Sequence, residues 1–203
     1  MNTIVVNNQT ITPSKIICIG RNYVEHINEL GNEVPDEMVV FMKPNSAISK
    51  ELNSFHQEPL HYEGEICFIY NDGRFSAVGF GLDITKRELQ AKLKEKGLPW
   101  ERAKSFDGAV VLSDFVDIDT IDEHLTLRLS IDGELIQAGN VGMMMYKPQQ
   151  ILEQLQSFMT LENGDVVMTG TPKGVGLINA GAVFDAEIKL NSQSILIASW
   201  QAN

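Results

Sequence analysis

The chain has 203 residues, 43% of them hydrophobic and 21% charged, which is enough apolar material for a folded domain with its own core. Sixteen basic against 27 acidic residues leave a net charge of −11. That excludes the basic footprint a nucleic acid requires and argues against docking on anionic membranes. Any acidic ligand must meet positive charge supplied locally, by a metal ion or a few aimed lysines and arginines. One domain is expected over residues 1–203, with 1–14 as a short N-terminal arm and 15–203 as the core. Cys18 and Cys67 sit in apolar runs and are expected to be buried thiols rather than a disulfide or a zinc site. The first residues carry neither a basic segment nor a long apolar one, and no stretch has the 18 or so apolar residues of a membrane span. The expected location is the cytoplasm.

In chain order, residues 16–19 read as a buried strand, broken by Gly20-Arg21-Asn22. Residues 23–30 read as a short helix closed by Gly31. A second apolar run at 39–42 ends at Pro44. Residues 62–82 form a hairpin around Asn71-Asp72-Gly73, a strong turn signal. Thr85-Lys86-Arg87-Glu88 has capping-box spacing, which predicts a helix over 86–96, ended by Gly97 and Pro99. Residues 125–131 alternate, turn at Asp132-Gly133 and return to 138. Pro148 opens a helix whose Ile151, Leu152, Leu155, Phe158 and Met159 share one face. A strand at 166–168 and two more between 183 and 200 complete the chain. Strands outnumber helices and their links look mostly antiparallel, so the expected class is β-rich α+β.

The sharpest chemical feature is His61-Tyr62-Glu63-Gly64-Glu65. On a strand, Glu63 and Glu65 share a face, while Tyr62, Ile66 and Phe68 take the other. Adjacent carboxylates repel, and a hard cation with oxygen ligands resolves the conflict. A solvent-facing acidic edge is the other reading. Asp83, at a strand-to-helix junction, is either a helix-start acid or a third ligand. Three carboxylates and one divalent ion sum to −1, and Lys104 is available to neutralise it. His26 and Glu29 stand three apart on the short helix, a spacing that suits either a water-activating pair or an ordinary exposed pair. His56, His61 and His124 have no such partner. The glycine-rich run from Met168 to Gly176 lacks the P-loop pattern; it is either an anion cradle or a structural loop.

Together these segments resemble the fumarylacetoacetate hydrolase family, nearest its short acylpyruvase and oxaloacetate decarboxylase-type members. The resemblance is carried, in order, by Gly20-Arg21-Asn22-Tyr23 with His26 and Glu29, Phe41-Met42-Lys43-Pro44, His61-Tyr62-Glu63-Gly64-Glu65, Leu82-Asp83-Ile84-Thr85-Lys86-Arg87 with Gln90, Gly97-Leu98-Pro99-Trp100 with Lys104-Ser105-Phe106-Asp107, and Gly164-Asp165 with Thr169-Gly170-Thr171-Pro172-Lys173-Gly174. It implies a mixed β-sandwich roll, a homodimer, and a Mg²⁺ or Mn²⁺ site. Glu63, Glu65 and Asp83 would be the metal ligands. His26 and Glu29 would activate water from a lid segment. Lys104 and Gln90 would face substrate and developing charge, Thr171 would hold a substrate carboxylate, and Arg21 would contact substrate or brace its loop. The chain departs from the family in a shorter hairpin around 71–78, in Lys86 and Glu88, and in Gly181-Ala182.

The activity so implied is cleavage of a carbon–carbon bond in a small 2-oxo acid with a second carbonyl or carboxyl at the β position. Acylpyruvate hydrolysis and oxaloacetate decarboxylation both pass through a pyruvate enolate. Tautomerisation or isomerisation of 2-oxo or unsaturated diacids needs the same stabilisation. A metal-stabilised binding protein or structural dimer is the non-enzymatic alternative.

Overall fold

The computed structural model describes residues 1–29 and 35–203, the side chains of residues 26–28 excepted. β1 (Ile4–Val6) and β2 (Gln9–Ile11) form a hairpin. This arm is tied to the body, because Phe115 N donates to Val5 O at 2.9 Å and Ile4 is buried. β3 (Lys15–Gly20) is buried on both faces through residues 16–19, which is why its run is continuously apolar. α1 (Val24–Glu29) begins as expected; the predicted end at Leu30 and cap at Gly31 lie outside the described residues. β4 (Val39–Pro44) pairs antiparallel with β3.

Short strands follow: β5 (Ile48–Ser49), the pair β6 (Phe55–His56) and β7 (Glu58–Pro59), and β8 (His61–Tyr62). β9 (Gly64–Asn71) and β10 (Arg74–Asp83) form the expected hairpin, with Asp72 and Gly73 in the left-handed region at φ 47° and 85°. α2 (Arg87–Glu95) starts without the expected capping box. Lys86 is its N-cap and its own side chain makes no cap; the Glu58 carboxylate accepts from Glu88 N at 3.1 Å and Leu89 N at 3.3 Å instead, while the Thr85 hydroxyl is engaged by Lys104. Gly97, at φ 62°, ends the helix. α3 (Glu101–Lys104), β11 (Val110–Leu112) and β12 (Val116–Asp117) come next.

β13 (Leu125–Ile131) and β14 (Glu134–Asn140) turn at Asp132-Gly133 as predicted. α4 (Pro148–Phe158) has proline in its first turn and buries Ile151, Leu152 and Leu155. Phe158, expected on that buried face, is 61% exposed at the helix end. β15 (Val166–Met168), β16 (Gly176–Leu177), β17 (Val183–Leu190) and β18 (Gln193–Gln201) finish the chain.

Among the described residues, an eight-stranded sheet runs β4-β3-β15-β9-β10-β11-β5, with β12 also on β10. β15 is parallel to β3, and β11 to β5, so the sheet is mixed, more so than the mostly antiparallel reading allowed. A four-stranded antiparallel sheet, β14-β13-β17-β18, packs on one face of it. Between them lie Ile66, Phe68, Phe80 and Leu82 of the large sheet and Leu127, Leu129, Phe184 and Ile188 of the small one. The opposite face carries Ile16, Cys18, Cys67, Ile69 and Met168. The fold is α+β and mostly strand, a two-layered curled sheet. Cys18 and Cys67 are buried free thiols. No described helix is long and apolar enough to cross a membrane.

Candidate active site

The site lies where β8, β9 and β10 converge. Glu63 occupies the link between β8 and β9, Glu65 is the second residue of β9, and Asp83 ends β10. Asp83 N donates to Glu63 O at 2.9 Å, and Gly81 is the residue opposite Glu65. This register stacks the three carboxylates on one side of the hairpin, the side that also carries Cys67. Gly81 leaves room there, since a Cβ would come 2.6 Å from Cys67 Sγ. One oxygen from each acid lies within 4.8 Å of the others, and all three residues are buried, Asp83 to 1% exposure. The solvent-facing acidic edge is therefore excluded. Three buried hard-oxygen donors at this spacing could hold a divalent cation.

Lys104, at the end of α3, is equally buried. Its Nζ donates to Glu63 Oε2 at 2.8 Å, Asp83 Oδ2 at 2.6 Å and Thr85 Oγ1 at 2.6 Å. Burial opposes its charge, but Asp83 and Glu63 outweigh that and hold the ammonium above the usual lysine range. Glu65 behaves oppositely. Burial, reinforced by Asp83 and Glu63, pushes it well above the usual carboxylate range, against the pull of the Gly170 N–H.

Two cations were not foreseen. Lys43, fully buried on β4, faces Asp83 Oδ1 at 2.8 Å without hydrogen-bond alignment, and donates to the carbonyls of Ile84, Lys104 and Ala109. Arg87, in the first turn of α2, pairs with Glu63 Oε1 and donates to Gln90 Oε1 at 2.9 Å. The single-lysine charge balance is thus corrected: three acids face Lys43, Lys104 and Arg87. Lys43 had a sequence signal in its strand parity, for it pairs with Ile16, whose side chain lies on the Cys67 face. Arg87 had one in its spacing, three before Gln90 and four after Asp83.

The glycine-rich loop does cradle anions, but here they are the protein's own. Gly170 N donates to Glu65 Oε2 at 2.8 Å, and Gly174 N donates to Glu29 at 3.0 and 3.2 Å. Both glycines need left-handed backbone, at φ 94° and 100°, and a Cβ on Gly174 would sit 2.3 Å from Ile136 O. Thr171 is buried at the cleft, its hydroxyl accepting from Gln137 Nε2 at 2.9 Å. Gln137 Oε1 in turn accepts from Gly64 N at 2.9 Å, which joins this loop to the acid-bearing strand.

Arg21, Gln90, Thr171 and Lys104 line one cleft with the three acids, together with Arg87, Lys94, Phe41 and Trp100. Arg21 holds φ 55°, a costly backbone for a non-glycine residue. Glu29 is exposed on α1, and the side chain of His26 lies outside the described residues, so the pairing of the two is not part of this geometry.

Comparison with known proteins agrees with the cleft. The family model described as fumarylacetoacetate (FAA) hydrolase, C-terminal, matches residues 15–195. Oxaloacetate tautomerase YcgM of Escherichia coli is 37% identical over 187 residues, covering 83% of this chain and 85% of that protein. The mitochondrial oxaloacetate decarboxylase of Dictyostelium discoideum is 35% identical over 195 residues, covering 87% and 89%. The fumarylpyruvate hydrolase of Pseudomonas aeruginosa, solved in complex with Mn²⁺ and pyruvate, superposes with a TM-score of 0.87 at 26% identity, covering 99% and 95%. Buried acids, matched motifs and coverage of nearly the whole chain lead to one conclusion: this chain belongs to the fumarylacetoacetate hydrolase family of enzymes.

Proposed function

We propose that this protein is a divalent-metal-dependent enzyme that cleaves the carbon–carbon bond β to the keto group in small 2-oxo acids, by oxaloacetate decarboxylation, acylpyruvate hydrolysis or both. The observation that carries this reading is the buried set Glu63, Glu65 and Asp83 beside Lys104, in one cleft with Arg21, Gln90 and Thr171. Their donor chemistry fits Mg²⁺ or Mn²⁺, and the buried Asp83 Oδ1 has no hydrogen-bond donor of its own. A cation held by these three acids would supply Lewis-acid stabilisation of negative charge on the substrate.

The remaining roles belong to side chains. Gln90 faces the substrate, and Lys104, its three ammonium hydrogens taken by Glu63, Asp83 and Thr85, acts on the charge that develops there through its own positive charge. Gln90 Oε1 is committed to Arg87, so its amide nitrogen is left to donate. Thr171 holds a substrate carboxylate through its hydroxyl. Arg21 steadies the substrate from the rim. His26 and Glu29 deprotonate the water needed for hydrolysis, from the segment that the Gly174 N–H anchors. With Glu65 ionised by a bound cation, the three acids balance the three cations around them, so the divalent ion's charge of +2 would suit a substrate dianion. Keto–enol tautomerisation of oxaloacetate at the same residues is the second reading, favoured by the 37% identity to an oxaloacetate tautomerase. The protein would act as a homodimer in the cytoplasm. Free buried thiols are consistent with that compartment.

The test uses metal-stripped protein with and without Mg²⁺ or Mn²⁺, measuring pyruvate release from acetylpyruvate and from oxaloacetate, and keto–enol conversion by ultraviolet absorbance. Metal-dependent pyruvate is expected, and conversion without pyruvate would select the tautomerase reading. Glu65→Ala should abolish both metal uptake and turnover; unchanged metal content by elemental analysis would overturn the ligand assignment.

A further inference from the structure

α2 presents Arg87, Gln90 and Lys94 to the cleft at i, i+3 and i+7, one continuous face. Arg87 is tied to Glu63 of the acid cluster and to Gln90. Lys94 stands about 10 Å further along the helix axis, at 1.5 Å per residue. Helical side chains lean toward the N-terminus, so its long stem is directed back along this face. Its Nζ lies 5.0 Å from the centre of the Trp100 ring.

Lys94 differs from the cations held by the acid cluster. Lys43 and Lys104 each meet Asp83, and Arg87 meets Glu63. Among the described residues, Lys94 has no hydrogen bond and no carboxylate partner, although the chain carries 27 acids. Burial, followed by the charges of Arg21 and Arg87, lowers its pKa to about 8. A half-buried ammonium in this position lacks an anion, and the cleft is where one can enter.

We propose that Lys94, seated on Trp100, binds a second, distal carboxylate of the substrate, so that the cleft prefers 2-oxo diacids to 2-oxo acids with a neutral tail. The inference rests on the reading that the 2-oxo acid end of the substrate sits at Glu63, Glu65 and Asp83. Trp100 steadies the ammonium by a cation–π contact that leaves hydrogens free to donate away from the ring. Arg21 lines the same cleft and adds to the positive potential there without replacing Lys94 on the α2 face.

The test is calorimetric binding to the Mg²⁺-loaded protein of two ligands with equal carbon chains, 2-oxoglutarate and 2-oxovalerate. The first carries a distal carboxylate and the second a methyl. The wild-type protein should bind 2-oxoglutarate about tenfold more tightly. Lys94→Met keeps an unbranched side chain beside Trp100 without the charge and should bring the ratio near one while leaving 2-oxovalerate affinity unchanged; Lys94→Arg should restore the preference. A wild-type ratio near one, or an equal loss for both ligands in Lys94→Met, would overturn the role of Lys94. If neither ligand binds the loaded protein, the 2-oxo acid reading fails and this inference fails with it. Lys94 lies on a helix face outside the core, so unchanged melting of the variants separates lost recognition from lost folding.

Discussion

At the scale of single residues, Lys104 decides whether the acid cluster can exist. The residue is 2% exposed and its ammonium is bonded to two of the three carboxylates. Removing one partner of a buried pair leaves the other charges uncompensated, at a cost of about 3 kcal/mol. Lys104→Met should therefore lower the melting temperature of the metal-free protein, and added Mg²⁺ should narrow the gap by supplying the missing charge. Turnover should fall on the order of a hundredfold. A variant that melts like the wild type would show that Lys43 and Arg87 alone balance the acids. In the sequence, the acids were legible because strand parity put Glu63 and Glu65 on one face. The cations were harder to read. Lys43 sits in an apolar edge strand and points to the site only once the neighbouring strand is known. Lys94 lies in a lysine-rich stretch, 92–96, where nothing local marks one lysine as turned inward.

Elements were legible where their signals are local. The turns at Asp72-Gly73 and Asp132-Gly133, the proline opening α4 and the glycine closing α2 each act within a few residues. The capping box at Thr85 failed because tertiary partners take its place: Lys104 engages the hydroxyl, and Glu58 accepts from the Glu88 and Leu89 amides. The parallel pairing of β3 with β15 was hidden, since the two lie about 150 residues apart and neither names its partner. Asp165 holds that junction. Fully buried, it accepts from Ser14 Oγ at 2.6 Å, Lys15 Nζ at 2.5 Å and Glu162 N at 2.8 Å. Burial opposes its charge, but the bonds from Lys15, Ser14 and the Glu162 amide hold its pKa below the usual aspartate value. A carboxylate depressed in the folded state adds stability above its unfolded pKa near 3.8 and loses it as pH falls through the folded value. Asp165→Asn should cost about 2 kcal/mol at pH 7. The difference from the wild type should shrink below pH 4, as read from urea unfolding at several pH values. A gap independent of pH would show that packing, not charge, gives Asp165 its role.

For the whole molecule, composition and alternation conveyed the class, but the layering came from long-range pairings that no single segment contains. The proposed homodimer belongs to this scale too. β4 is an edge of the large sheet and borders an apolar groove with Met42, Leu98 and Phe158 at 48, 47 and 61% exposure. Met42→Glu should therefore shift sedimentation from dimer toward monomer; an unchanged dimer would place the contact elsewhere. Lys43, next to Met42, has a further consequence. From the edge strand it clamps the carbonyls of Ile84, Lys104 and Ala109, which belong to two stretches of chain, the link after β10 and the run from α3 to β11. Neither of these can peel away alone without stranding a buried ammonium. Their amides, such as Ile84 N on Ala109 O at 2.9 Å and Lys86 N on Ala103 O at 3.1 Å, should then resist deuterium as long as the central strands do and be released only by global unfolding. The floor of the cleft would open as one cooperative block with the core, leaving the α2 wall as the part free to breathe around a ligand.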